Sequence, residues 1–153
     1  MNLSPPSSDA PAAAPYRSKT VAAWLALVAG TLGLHRFYLF GWRDRWGWLH
    51  PLVAAIGLAG VRRLQTLGQD DHLAWLLIPL LGGVISLAMG TAIFFALTPD
   101  ERWDARHNPG HAVVDTRWGP VLAAVFGLLV GGGVLMGSIA YSIQMFFEWR
   151  LHG

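Results

Sequence analysis

The 153-residue chain has no cysteine, which excludes disulfides, thiolate catalysis and cysteine-type zinc sites. Charge is scarce too. Asp, Glu, Lys and Arg make up 13% of the residues, against roughly 25% in ordinary soluble domains. The net charge of +2 is too small to point to nucleic acid as a partner. No nucleophile elbow, phosphate loop or HExxH pattern occurs, so the familiar signatures of catalysis are missing and no cofactor is implied. The two longest apolar runs hold no Asp, Glu, Lys or Arg. That disfavours proton-coupled transport, which needs ionisable groups inside the spans.

What the chain does have is 54% hydrophobic residues, 18 glycines and 8 tryptophans. Glycine lets membrane helices approach closely, and tryptophan sits at headgroup level. Four apolar stretches follow a tail at residues 1–16, whose Ala, Ser and Pro bury too little surface to order it. The first runs Val21–Leu34 and extends through Phe40 if His35 and Arg36 lie at the interface. Its strict core is shorter than the ~20 residues that span a bilayer. Arg17 and Lys19 before it, and the aromatic cluster Phe37, Tyr38 and Phe40 after it, extend the usable span. The second, Trp46–Val61, follows a tight connection at Gly41–Arg45, so residues 17–63 form an antiparallel hairpin.

Residues 64–72 are a polar loop. The third stretch, 73–98, is long enough to span with tilt, and Pro79 with Gly82 and Gly83 predicts a kink. Residues 99–117 are the most polar. There Thr98 caps a short amphipathic helix with Pro99 at its first position, and Asn108-Pro109-Gly110 ends it. The fourth stretch, 118–150, is uncharged from Pro120 to Phe147. The expected fold is all-α: a multi-pass membrane protein with four transmembrane helices and an N-terminal helical hairpin.

Small residues recur at four-residue spacing, as in Ala22, Ala26 and Gly30, or Gly127 and Gly131, and also Gly133 and Gly137. Ala26, Gly30, Gly33, Gly127 and Gly131 are the expected close-packing positions. With four spans the amino-terminal tail, the second loop and the carboxyl end share one side. The basic residues then divide five against six, which sets no orientation.

The stretch SKTVAAWLALVAGTLGLHRFYLFGW resembles the opening half of the two-transmembrane (TM-2) domain family. Lys19, Ala23, Leu25, Gly30, Gly33, His35, Arg36, Phe37, Tyr38 and Leu39 carry the likeness. Phe40 stands where the family often has glycine, and Gly41 follows. The second half departs from the pattern, with AAIGLAGVRRLQ in place of a tryptophan and an acid. The resemblance implies no enzymatic activity. It implies a bacterial member with a two-helix carboxyl-terminal extension, in the inner membrane. It also implies that His35–Arg45 is a cytosolic turn with the tail on the opposite side.

His35, Arg36, Phe37 and Tyr38 are the sharpest candidate site. A partner contact or switch is one reading, since histidine titrates near neutral pH. The favoured one is an anchor in which Arg36 snorkels to lipid phosphate, the aromatics fix depth, and Arg36 pairs with Asp44. Asp104, His107, His111 and Asp115 have spacings of three and four, yet Asn108-Pro109-Gly110 interrupts their helix. They read as solvated loop residues, and no metal site is assigned. The expected function is structural or interactive, with the lipid bilayer and a second copy or another membrane protein as partners. The alternatives are a subunit of a transporter or channel, and a membrane enzyme using residues 98–118.

Overall fold

The apolar stretch at residues 17–40 breaks in its middle. In the computed structural model, which describes residues 15–152, helix α1 runs Lys19–Ala29 and a single 3-10 turn, Gly30–Leu32, follows it. Gly33 then adopts φ +72°, a left-handed conformation that a side chain rarely tolerates. Helix α2, Leu34–Phe40, leaves this corner and returns toward the start of α1. The Tyr38 hydroxyl accepts from the Ser18 amide at 2.9 Å, and the Tyr38 carbonyl accepts from the Arg17 guanidinium. An 11-residue helix rises about 16 Å, half of a bilayer's apolar thickness. The corner keeps its backbone satisfied: Gly33 N–H donates to Gly30 O at 2.9 Å, and Arg36 and Phe37 N–H both donate to Gly33 O.

Helix α3, Arg45–Leu67, and helix α4, His72–Leu97, follow as an antiparallel pair. Asp44 and Asp71 cap them, accepting from the Trp46 and Leu73 amides. Asp71 also takes a two-pronged contact from Arg63, at 2.7 and 3.1 Å, which closes the α3–α4 turn. Helix α4 continues through Pro79, Gly82 and Gly83 without a break. The short helix α5, Asp100–His107, begins one residue later than the sequence predicts. Pro99 stands in the cap position and Thr98 serves α4 instead, its hydroxyl donating to Phe94 O at 2.7 Å. Helix α6, Gly119–His152, closes the chain. Among the described residues there is no strand.

Helices α4 and α6 are long and apolar enough to cross a membrane, whereas the apolar segment Lys19–Leu32 is shorter. The core where they pack is made of small residues. Ala22, Ala23, Ala26, Ala88 and Ala92 are fully buried. A β-carbon on Gly30 would lie 2.6 Å from Ala88 Cβ, and one on Gly131 would lie 2.6 Å from Met89 Cβ. Gly127 faces Ile93 and Met89. Gly57 and Gly60, in α3, seat against Leu81 and Leu77 of α4 in the same way. Gly133 and Gly137 meet nothing within 4 Å.

These contacts give the bundle two unlike ends. At the near end lie residues 16–19, α2, the start of α3, the end of α4, α5 and the start of α6. Lys19 Nζ donates to Thr98 O at 2.9 Å there, and Trp24 Nε1 to Gly119 O at 3.2 Å. At the far end are the α3–α4 turn and the end of α6, where His72 and Trp75 share a cleft with Phe146 and Trp149. The arrangement corrects the expected placement of the tail and the His35–Arg45 turn on opposite sides. Residues 16–18, where the tail joins α1, and that turn both lie at the near end, because α2 folds back from Gly33. Tyr16, assigned to the tail by composition, is held in place, and residues 1–14 lie outside the described residues.

The corner is testable. Gly33→Ala forces a left-handed alanine against the Gly47 carbonyl and is expected to cost about 2 kcal/mol or more. Gly83→Ala meets open space and removes a helix-interior glycine, so it is expected to be neutral or to stabilise by up to ~1 kcal/mol. Thermal unfolding of the two variants in detergent, side by side, checks the order.

Candidate functional site

The near end is held by a polar clasp. Asn108 reads the backbone of Arg17 at both groups: its Oδ1 accepts from the Arg17 amide at 2.6 Å and its Nδ2 donates to the Arg17 carbonyl at 3.1 Å. The same Nδ2 donates to Asp104 Oδ1 at 2.6 Å. Trp103 Nε1 adds a second donor to the Arg17 carbonyl at 2.8 Å. Tyr16 donates to Asp104 Oδ1 at 3.1 Å, and the Val114 amide to Asp104 Oδ2 at 3.0 Å. Lys19 pairs with Asp100, which also accepts from the Thr116 amide and hydroxyl. Trp103, Asp104, Asn108 and Lys19 are all buried. The clasp thus ties α5 and residues 114–116 to the point where the chain enters α1.

The clasp explains the carboxylates of α5. Burial pushes Asp104 up, but the Val114 amide, the Asn108 amide and the Tyr16 hydroxyl outweigh it, and its pKa falls below the ordinary carboxylate value. Asp100 behaves likewise, with burial opposed by Lys19 and Thr116. Asp104 is therefore fully engaged and free for no ligand. Among the described residues no three His, Asp or Glu side chains are grouped as a metal site would require.

Beside the clasp is a cavity of about 380 Å³ between α2, α3, α4 and α5. Its rim carries Arg36, Arg102 and Arg106, and its walls are Phe40, Trp46, Phe94, Phe95 and Trp103. His35 and His50 form the floor, rings edge-to-face at 5.3 Å. His35 is 2% exposed, and its Nδ1 has no hydrogen-bond partner. His107 stacks on Trp103 with centroids 4.2 Å apart. A shallower apolar groove of about 220 Å³ continues from the same floor, sharing His50 and Leu87, along Val53, Leu80, Gly83 and Val84.

The candidate residues at 35–44 divide between different jobs. Arg36 Nε lies 2.6 Å from Asp44 Oδ2, and the guanidinium lies over Phe40 at 5.1 Å. Arg36 alone keeps the expected place at a polar rim. His35 is buried between α3 and α4, Phe37 is buried and stacks on Trp42 at 4.9 Å, and Tyr38 bonds to residues 17 and 18. His35, Phe37 and Tyr38 are thus held by contacts within the fold, whereas the anchor reading has Phe37 and Tyr38 fix depth at the interface. The reversal at Gly33 folds the cap onto the helix it was expected to close. The exposed aromatics at this end are Phe40, Trp42, Trp46 and Trp48, all more than half exposed.

Sequence reasoning missed His50, Arg102, Trp103, Arg106 and His107 as one face of a site. The signal was present: 102, 103, 106 and 107 follow helical i, i+1, i+4, i+5 spacing. No family model, curated protein or solved structure matches the chain, and the site is read from its own geometry.

Two outcomes follow. Asn108→Ala leaves the Arg17 amide without a partner and its carbonyl with Trp103 alone, and is expected to destabilise the near end by about 1–3 kcal/mol. Hydrogen exchange at residues 16–19 should accelerate, with α4 and α6 little changed. Because Asp100 and Asp104 are depressed, their stabilisation is fully present above the ordinary carboxylate value. It is lost only as pH falls through the lowered folded values. The Val114 and Thr116 amide resonances should therefore titrate below the ordinary carboxylate range, and a midpoint at or above that range would contradict the clasp.

Proposed function

We propose that this chain is an integral membrane protein with a binding or structural role rather than a catalytic one. Helices α3, α4 and α6 cross the bilayer, and α1 with α2 enters and leaves from one side. The carrying observation is the charge division between the two ends. Arg17, Lys19, Arg36, Arg43, Arg45, Arg102, Arg106 and Arg117 gather at the near end, and Arg62, Arg63 and Arg150 at the far end. Eight against three supports a cytoplasmic near end by the positive-inside rule. The resemblance of residues 17–61 to the TM-2 family supports a small bacterial inner-membrane protein in this reading.

Three hydroxyls of the long helices argue against a transport path. Thr91, Ser138 and Ser142 each donate to the carbonyl four residues earlier in their own helix, at 2.8 Å. Hydroxyls turned onto their own helix line no route for an ion.

Topology reporters decide the matter. Fusions at Gly68 and at the carboxyl end should both report the exterior, and a fusion before residue 15 the cytoplasm. Four complete crossings would put all three on one side, and that result would sink the three-crossing reading. Recovery of the protein in the soluble fraction would sink the membrane reading as a whole.

A further inference from the structure

We infer that the cavity at the near end, with the groove below it, binds one anionic phospholipid: phosphate at the Arg102–Arg106 rim and an acyl chain along α3 and α4. The inference rests on the membrane reading above and names the ligand class of that same site. Charge comes first. Asp44 offsets Arg36, and Lys19 and the clasp engage Asp100 and Asp104. Among the described residues no carboxylate comes within 4.0 Å of Arg102 or Arg106. One turn apart on α5, these two cations face one rim with their charge uncompensated. Two guanidiniums beside exposed Trp46 and Phe40 match a phosphodiester at headgroup depth.

The site also has the amphipathic shape that a lipid needs and a free phosphate does not. From Thr98 at the rim to Leu87 at the floor is 11 residues of α4, about 16 Å. The groove then runs on to Leu80 between walls that are apolar apart from His50. Leu49, Leu80 and Leu87 are exposed along it, so a chain seated there would stay open to the bilayer.

The test uses the full-length chain in nanodiscs of phosphatidylcholine with a minor share of phosphatidylglycerol. Lipid retained on release is counted by native mass spectrometry. Wild type is expected to retain phosphatidylglycerol about tenfold over its share, the size expected of two partly screened surface cations. Arg102→Gln with Arg106→Gln should lose that enrichment while the protein stays at wild-type level in the membrane fraction. Gly83→Leu, which fills the groove at a position with open space around it, should reduce retention severalfold with helix content unchanged.

Equal retention by wild type and the arginine variant would overturn the headgroup site. Equal retention by wild type and Gly83→Leu would overturn the acyl groove. Displacement of the lipid by inorganic phosphate at low millimolar concentration would assign the arginines to a free anion and overturn the lipid. Loss of wild type to the soluble fraction, scored in the same samples, would overturn the membrane reading itself and is distinguishable from all three.

Discussion

The structure depends on the close approach of Gly33 to the carbonyl of Gly47. Gly33 is left-handed, and no side chain fits between it and α3. Glycine is needed there twice over, once for the dihedral and once for the space. Because the chain turns at that depth, α2 travels back and delivers Arg36, Arg43 and Arg45 to the end where Arg17 and α5 already lie. A straight helix over the same residues would have carried those cations to the opposite end. The charge division, the cavity and the burial of His35 all follow from one corner.

The clasp of Asn108 on Arg17 completes what the corner begins. An apolar contact could hold α5 against the bundle but would not fix its rotation. Asn108 fixes it by matching one donor and one acceptor to the two backbone groups of a single residue, while Asp104 and Trp103 engage the same segment at Tyr16 and Arg17. The rotation matters because α5 has two jobs. Asp104 and Asn108 turn inward to the clasp, and Arg102 and Arg106 are left exposed at the rim.

The helical content, the apolar character of α4 and α6, and the Arg36–Asp44 pair were legible in the sequence. So was the amphipathic helix after Thr98, to within a residue. The reversal was not. GTLG at residues 30–33 reads equally well as a small-residue packing face, which Gly30 supplies against Ala88, and as a break, which Gly33 supplies. Periodicity does not separate these, since the choice rests on what faces Gly33 across the fold, and Gly47 is 14 positions away. The cavity was hidden for a related reason. His35, His50, Phe95 and Arg102 come from four separate helices and have no shared spacing to read. Four crossings leave the basic residues at five against six, whereas the proposed three crossings, with α1 and α2 as one excursion, divide them eight against three.

The excursion of α1 and α2 has a further mechanical consequence. All six helices have a segment at the near end, and three of them, α3, α4 and α6, continue to the far end. In a bilayer such a body displaces more lipid from one leaflet than from the other. On the proposed topology it acts as a wedge, and the surrounding monolayers would differ in lateral pressure or bend to accommodate it. On the proposed topology such a shape favours one membrane curvature, and the left-handed Gly33 sets the shape.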